Sequence, residues 1–347
     1  MTHAENLPGL DAPAPESPPD TACASNAARQ ARERLRTDLL ALPEAGDDRI
    51  DHQTIETLVR LDAEGFLLGP DETVPAARAR GLRLCDRLDQ LDGEIAAGGG
   101  ARLGRELWPL AEADRIDGDW IAASDDLTCA LYGFRLAWAP GFYFTAGRWR
   151  LWGGCAWADA EEGMALFLLR REFRDQDRFL IYRRAEILAH ERCHLARWPF
   201  PADLRLEEFH AYRTSQSPLR RYLGNCFSGP WDAPLFAAPA FATAVAQAVR
   251  TATGGAWPMD IFWGLTVAGP AWLLAKNHVA RQRYFRAEAA LRALGAARPE
   301  AILFRTRWAE LPPLAEVACR DALDDFVRER PDPRWRVIAK RFLDGTP

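Results

Sequence analysis

The chain has 347 residues, which is enough for one large domain or two ordinary domains with a hydrophobic core. Hydrophobic residues make up 48% of the chain and charged residues 27%, a composition that excludes a disordered or fibrous protein. The net charge is −5, from 44 basic and 49 acidic residues, and this acidic balance gives no whole-protein reason to expect a nucleic-acid partner.

The seven cysteines are scattered, and no two of them form a CxxC pair. This pattern argues against a zinc ribbon, a thioredoxin-type motif and a disulfide framework. The first residues contain no charged segment followed by an apolar run, so we expect no signal peptide. These features together predict a protein of the reducing cytoplasm.

The N-terminal third divides into a tail and a helical region. Residues 1–27 contain many prolines and few large apolar groups, which predicts a disordered tail, because little apolar surface is available to offset the ordering entropy. Residues 28–115 have apolar positions at helical spacing, as in Leu35, Leu39 and Leu42, and we expect a helical N-terminal region there.

Residues 116–230 combine strand and helix patterns. Short aromatic runs separated by glycine or Pro-Gly predict hairpin strands at 134–138, 142–145 and 148–152, followed by a more buried strand at 164–169. A helix is predicted from 179 to 198, where prolines end it. A second helix is predicted over 204–214, with Asp203 as its N-cap.

The final region, 231–347, is predicted to be helical and contains two apolar stretches, 235–249 and 261–275. Both stretches are too short to span a bilayer comfortably. We therefore expect packed core helices and no membrane association, with a membrane-inserted hairpin as the alternative.

One motif in the chain carries chemistry: His190-Glu191-Arg192-Cys193-His194, an HExxH sequence inside a predicted helix. Two histidines four residues apart lie on one helical face, so both imidazoles can bind a single zinc ion. The intervening glutamate lies beside the metal, where it can take a proton from zinc-bound water and pass it to a leaving amine. The alternative is a pair of histidines on a helix surface with no metal.

The sequence from 164 to 212 resembles the zincin metallopeptidases. In that family a strand bordering the substrate cleft precedes the active-site helix, as 164–169 precedes 179–198 here. The resemblance implies an α+β fold in which a zincin-like core, a small mixed sheet plus the active-site helix, is flanked by helical N- and C-terminal regions. It also implies a peptide or protein substrate bound in an extended conformation along the edge strand.

The third zinc ligand is the point at which zincin subgroups differ. The stretch Glu208-Phe209-His210-Ala211-Tyr212 is similar to the E-x-x-A-D pattern of the gluzincins, with tyrosine in the last place. This similarity implies that Glu208 is the third ligand and that Glu207 points about 100° away around the helix. Tyr212 replaces an aspartate that supports a zinc histidine, and its hydroxyl can donate a similar hydrogen bond or stabilise the oxyanion.

Two other residues are alternative third ligands. His210 lies sixteen residues after His194, and Cys155 lies upstream of the helix. The ordinary roles of these side chains are packing for the histidine and a small buried thiol at a strand end for the cysteine. Glu186 precedes His190 by one helical turn and can support the site from behind, or be an exposed carboxylate.

The sequence therefore predicts a zinc-dependent metallopeptidase. His190, His194 and Glu208 would bind Zn²⁺, and Glu191 and Tyr212 would be the catalytic side chains. The alternative is a non-catalytic helical interaction protein with a structural or vestigial zinc site, because helical segments flank the expected core on both sides.

Overall fold

The computed structural model describes residues 21–44, 50–98, 100–104, 106–145, 153–159, 162–200 and 204–343. These residues form an α+β fold that is mostly helical. The N-terminal and central helices are α1 (Thr21–Leu40), α2 (His52–Ala63), α3 (Val74–Ala96), α4 (Gly118–Tyr132), α5 (Arg184–Ala196), α6 (Leu204–Arg213) and α7 (Pro218–Leu223). The C-terminal helices are α8 (Asp232–Thr253), α9 (Met259–Ala293), α10 (Pro299–Phe304), α11 (Leu311–Ala315), α12 (Arg320–Arg328) and α13 (Pro333–Phe342).

The strands form small sheets. They are β1 (Ala101–Leu103), β2 (Glu106–Trp108), β3 (Gly141–Phe144), β4 (Gly154–Asp159), β5 (Met164–Arg170), β6 (Arg178–Phe179) and β7 (Tyr182–Arg183). The central sheet has the order β3-β5-β4, with β3 parallel and β4 antiparallel to β5. All seven residues of β5 are buried, which agrees with its apolar sequence, and β4 lies at the edge of this described sheet.

The helix that carries the HExxH motif is shorter than predicted. Expected from 179, α5 begins at Arg184, because the chain first makes the two-stranded β6–β7 hairpin. At its turn Leu180 adopts a left-handed backbone conformation with φ 54°, which the sequence does not signal since that region favours glycine. The helix ends at Ala196, shortly before Pro199.

The predicted hairpin strands formed only in part. The strand expected at 142–145 is β3, but it pairs in parallel with β5, and the strand expected at 148–152 lies outside the described residues. Residues 134–138 are not a strand: the segment follows the left-handed Gly133 as a largely buried loop. Side chains and loops supply its partners, since Asp125 accepts from the Leu136 amide and the Trp138 indole donates to the Glu64 carbonyl.

The expected segments of the chain share one core. The largest apolar cluster runs from Ala31 in α1 to Val337 in α13 and includes the whole of β5 except Arg170. The first helix begins at Thr21, within the segment that was predicted to be a disordered tail. Residues 1–20 lie outside the described part of the chain. Asp203, the predicted N-cap of α6, also lies outside it. A second cluster joins α6 to the C-terminal helices α9–α13.

The two apolar stretches near the C-terminus are not packed core helices, and that prediction is wrong. They form an antiparallel pair, α8 and α9, whose large apolar side chains are mostly exposed. Among the described residues, no helix combines the length and the apolar character needed to cross a membrane.

Candidate metal centre

Three ligand atoms converge between α5 and α6. The Nε2 atoms of His190 and His194 are 3.3 Å apart, as their spacing of one helical turn predicts. The Glu208 carboxylate places Oε2 at 3.7 Å from Nε2 of His190 and Oε1 at 3.7 Å from Nε2 of His194. Ligands at zinc-like bond lengths around a tetrahedral ion are separated by about 3.3 Å. The chemistry and spacing of this donor set therefore fit a zinc ion.

The other nitrogen of each imidazole is held in place from behind. His190 is hydrogen-bonded to the backbone of Ala211. His194 Nδ1 lies 3.5 Å from Glu207 Oε2, and Glu207 Oε1 accepts a 2.7 Å bond from the buried Arg197. These contacts direct both Nε2 atoms towards Glu208, as metal-binding histidines require. This role of Glu207 differs from the sequence expectation, in which its side chain points away from the ligands.

Glu191 lies between the ligand group and the edge strand β4. Its carboxylate is buried and accepts a hydrogen bond from the Ala156 amide. A Cβ atom added to Gly154 would lie 3.2 Å from Glu191 Oε1, so the strand backbone and the carboxylate are in close contact. Burial raises the pKa of Glu191 to about 7, with a further contribution from Glu208. A carboxylate of that pKa is suited to accept and return a proton near neutral pH.

The surroundings of the two histidines shift their pKa values in opposite directions. Burial lowers the pKa of His190 well below its usual value, and the cations of His194 and Arg220 lower it further. Burial also lowers the pKa of His194, but its bond to Glu207 and the nearby Glu208 and Glu191 outweigh burial and raise the pKa to about 9. A pKa of about 9 favours the protonated form of His194 at neutral pH.

The ligand group opens into a cavity of about 870 Å³. One wall is β4, including Gly154 and Cys155, and the opposite wall comes from α6 and Tyr182. Phe227 and Ala233, the latter in the first turn of α8, form part of the rim. The cavity therefore places β4, an edge strand of the described sheet, beside the candidate ligands and Glu191.

Tyr212 lines the same cavity, one helical turn beyond Glu208. Its ring contacts the His190 imidazole edge to face, with centroids 4.7 Å apart. Gly224 makes room for the ring, because a Cβ there would come within 2.1 Å of it. Burial raises the pKa of Tyr212 to about 12, so its hydroxyl keeps its proton and is a hydrogen-bond donor to the cavity.

The two alternative third ligands are not part of the group formed by His190, His194 and Glu208. His210 is fully buried on another side of α6, where it packs among the rings of Tyr132, Tyr284 and Phe304. Cys155 lines the cavity, but among the described residues the group with metal-ligand spacing consists of His190, His194 and Glu208. Burial raises the pKa of the Cys155 thiol to about 11, which keeps it neutral.

Glu186 anchors the segment that follows α6. The buried carboxylate accepts hydrogen bonds from the Ser215 hydroxyl at 2.9 Å, the Gln216 amide at 3.1 Å and Arg220 Nη1 at 2.8 Å. It is therefore neither an exposed carboxylate nor a contact of the metal group. Its effect on the site is to hold Arg220 against Tyr182, where the guanidinium lines the cavity.

The five residues that the sequence analysis selected, His190, Glu191, His194, Glu208 and Tyr212, all line this cavity. No protein-family model matches the chain, and no curated protein or solved structure matches it. The chemistry of the site is therefore inferred from its own residues.

Proposed function

We propose that the protein is a zinc-dependent peptidase of the zincin type, with a gluzincin-like ligand set. The observation that carries the proposal is the convergence of His190, His194 and Glu208 beside the buried carboxylate of Glu191. A structural zinc site needs no such carboxylate and is closed by a fourth protein ligand. Among the described residues three candidate ligands line the cavity, which supports a catalytic rather than a structural site.

His190, His194 and Glu208 would hold the zinc ion. When bound, zinc supplies a Lewis acid that polarises the scissile carbonyl and acidifies water. Glu191 accepts the proton of the attacking water and returns it to the leaving amine, a task that its pKa near 7 suits. Tyr212 donates its hydroxyl proton in a hydrogen bond to the developing oxyanion.

The edge strand β4 would bind the substrate. Its outer edge faces the cavity, and unpaired strand edges bind extended peptides through main-chain hydrogen bonds. A peptide bound there passes Glu191, because the Ala156 amide bonds that carboxylate from the same strand. The proposed substrate is accordingly a peptide or a protein segment in extended conformation.

The test measures zinc and hydrolysis in tag-free, full-length protein. We expect about one zinc per wild-type chain by elemental mass spectrometry. Glu208→Ala should lose both zinc and activity. Glu191→Gln should keep zinc, while cleavage of a peptide library, followed by mass spectrometry, falls by about 10²–10⁴-fold, since only the proton acceptor is removed. The exposed Glu329→Gln is the matched control and should change neither quantity.

Other outcomes would contradict separate parts of the proposal. Normal turnover by Glu191→Gln would exclude that residue as the base, and zinc retained by Glu208→Ala would exclude it as an essential ligand. Zinc that raises the melting temperature of a protein that cleaves no peptide would favour the non-catalytic interaction protein. A wild-type protein that binds no zinc after reconstitution would overturn the proposal.

A further inference from the structure

The strongest feature outside the metal centre is the hairpin formed by residues 232–276, which is α8 with the first half of α9. The two ends of the hairpin, called its feet below, lie together at the folded body, where Lys276 forms an ion pair with Asp232. Between these feet, only Thr243, Ala246, Met259 and Leu273 are buried. The remainder of α9 returns to the core, with Tyr284, Ala287 and Leu291 fully buried. The hairpin is therefore a projection from an otherwise packed body.

The surface of this hairpin is apolar on opposite flanks. At 100° per residue, Ile261, Leu265 and Trp272 lie along one flank of α9, and Trp263, Val267 and Leu274 lie along the opposite flank. All six side chains are exposed. A folded partner or a second copy would cover one flank and leave the other in water. A fluid apolar phase covers both flanks at once.

The charges of the hairpin lie at its ends. No charged residue occurs in 233–249 or in 261–275, whereas Asp232 and Lys276 lie at the feet and Arg250 and Asp260 near the tip. The uncharged stretches correspond to about 25 Å and 22 Å of helix at 1.5 Å per residue. That length is comparable to, and somewhat shorter than, the hydrocarbon core of a bilayer, about 30 Å.

The two threonine hydroxyls inside the uncharged region, those of Thr243 and Thr266, are hydrogen-bonded within the hairpin. Thr243 and Thr266 each donate a hydroxyl hydrogen bond to the carbonyl four residues earlier, and their hydroxyls contact each other across the helices at 2.7 Å. Gly269 lets the helices approach closely, because a Cβ there would lie 2.7 Å from the Leu235 carbonyl oxygen. Internal polar pairing and small residues at the crossing are the packing that lipid favours.

From these observations we propose that the hairpin of residues 232–276 embeds in a lipid bilayer and anchors the protein to its surface. Both feet are joined to the body, so the hairpin enters and leaves by the same face and does not cross. The anchor adjoins the cavity, because Phe227 at the cavity rim packs against Phe236 of α8 with ring centroids 5.6 Å apart. The proposal is independent of any peptidase activity.

The test is flotation of the full-length protein with phosphatidylcholine vesicles. We expect the wild type to float with the vesicles and to remain bound in high salt, because the embedded surface is uncharged. The triple variant Phe241→Gln, Val267→Gln, Trp272→Gln should remain in the dense fraction. The three side chains are 73%, 66% and 63% exposed, so their replacement does not disturb the core.

The matched control places two glutamines on exposed apolar sites of the body, Leu40→Gln and Leu107→Gln, and should float like the wild type. Equal thermal unfolding midpoints of all three proteins show that folding is unchanged. Quenching of tryptophan fluorescence by brominated lipids in the wild type would support the proposal, because Trp257, Trp263 and Trp272 lie on the hairpin.

Three results would overturn the lipid assignment. The first is a wild-type protein that stays in the dense fraction as a monomer. The second is a wild-type dimer, seen by sedimentation velocity, that binds no vesicles and that the triple variant dissociates; this result would assign the hairpin to a second copy of the chain. The third is a triple variant that floats as well as the wild type, which would place any lipid contact elsewhere.

Discussion

The charges around His194 would make metal binding at the proposed site depend on pH. In the metal-free protein its pKa is raised to about 9, chiefly because Glu207, Glu208 and Glu191 together outweigh the effect of burial. Zinc requires the neutral imidazole, so binding must displace the proton that this histidine holds at neutral pH. His190 holds no such proton, since burial lowers its pKa. Zinc would therefore compete with a proton for His194 but not for His190.

This difference predicts a pH-dependent zinc affinity. Below pH 9 the displaced proton opposes binding, so affinity should rise with pH, by about tenfold per unit between pH 7 and 8.5. Competition with a chelator of known pH dependence measures the slope. Glu207→Gln removes the bond that raises the pKa of His194, so its slope should be shallower, while affinity falls about 10–100-fold. A pH-independent affinity in the wild type would contradict the prediction.

At this scale the sequence predicts which side chains converge better than it predicts the groups that support them. The four-residue spacing of His190 and His194 implies convergence, and the next helix brings Glu208 to them. The helical wheel sets the direction of a Cα–Cβ bond, and it directs Glu207 away from the ligands. The side chain nevertheless reaches His194 and Arg197, because its three rotatable bonds turn it back. Such side-chain paths depend on neighbours that the sequence does not place.

Strand β4 and helix α5 must be close for Glu191 to reach the cavity. The contact depends on Gly154, where a Cβ would meet Glu191 Cγ and Oε1 at 3.2 Å and the Leu168 carbonyl oxygen at 3.1 Å. The carbonyl belongs to β5, which is buried along its whole length. Any side chain at this position therefore displaces the carboxylate of Glu191 or the strand.

Gly154→Ala should consequently impair hydrolysis while leaving zinc in place. A displaced base loses its alignment with the attacking water, and we expect kcat/KM to fall by about 10–100-fold on a peptide that the wild type cleaves. Gly93→Ala is the matched control: it lies in α3 with open space around it, and alanine there should be neutral or slightly stabilising. Unchanged kcat/KM in Gly154→Ala would show that the base does not depend on this contact.

The elements were predictable where a pattern was long and local. The buried strand β5 and the helices α5 and α6 lie where apolar runs and prolines indicate them. The turn at Leu180 was not predictable from the sequence, because leucine rarely adopts a positive φ. The loop at 134–138 was misassigned, since its backbone amides donate to the Asp125 side chain and to the Ala63 carbonyl at the end of α2. The helices α8 and α9 were correctly placed, but apolar composition does not distinguish a buried helix from an exposed one.

A buried ionic cluster joins the N-terminal helical region to the C-terminal one. Asp62 of α2 bonds the Arg305 guanidinium at 2.8 Å and also pairs with Arg341 of α13. Burial alone would raise the pKa of Asp62, but the two arginines outweigh it and hold the pKa below its usual range. The cluster ties the N-terminal helices to the C-terminal ones, while the largest apolar cluster passes between them.

Asp62→Ala should therefore destabilise the whole molecule. It leaves two arginines without their carboxylate in a buried site, and we expect a loss of about 3–5 kcal/mol in the free energy of unfolding by urea. Asp38→Ala is the control, because its partner Arg60 is largely exposed, and the expected loss is below about 1 kcal/mol. Release of zinc should coincide with unfolding in both variants. A two-step transition, or equal losses, would contradict this shared core.

The continuity of α9 has a mechanical consequence. The helix is 35 residues long, about 52 Å, and it passes without interruption from the hairpin into the body. Where the helix enters the body, Asn277 is buried and donates a hydrogen bond to the Tyr222 carbonyl at 2.6 Å. This bond fixes the helix at that point. Beyond it, Tyr284 packs on Phe209 of α6, with ring centroids 4.4 Å apart. A displacement of the outer half of α9 would therefore act on α6, the helix that carries Glu208, and Pro270 is the position at which the outer half would bend most easily.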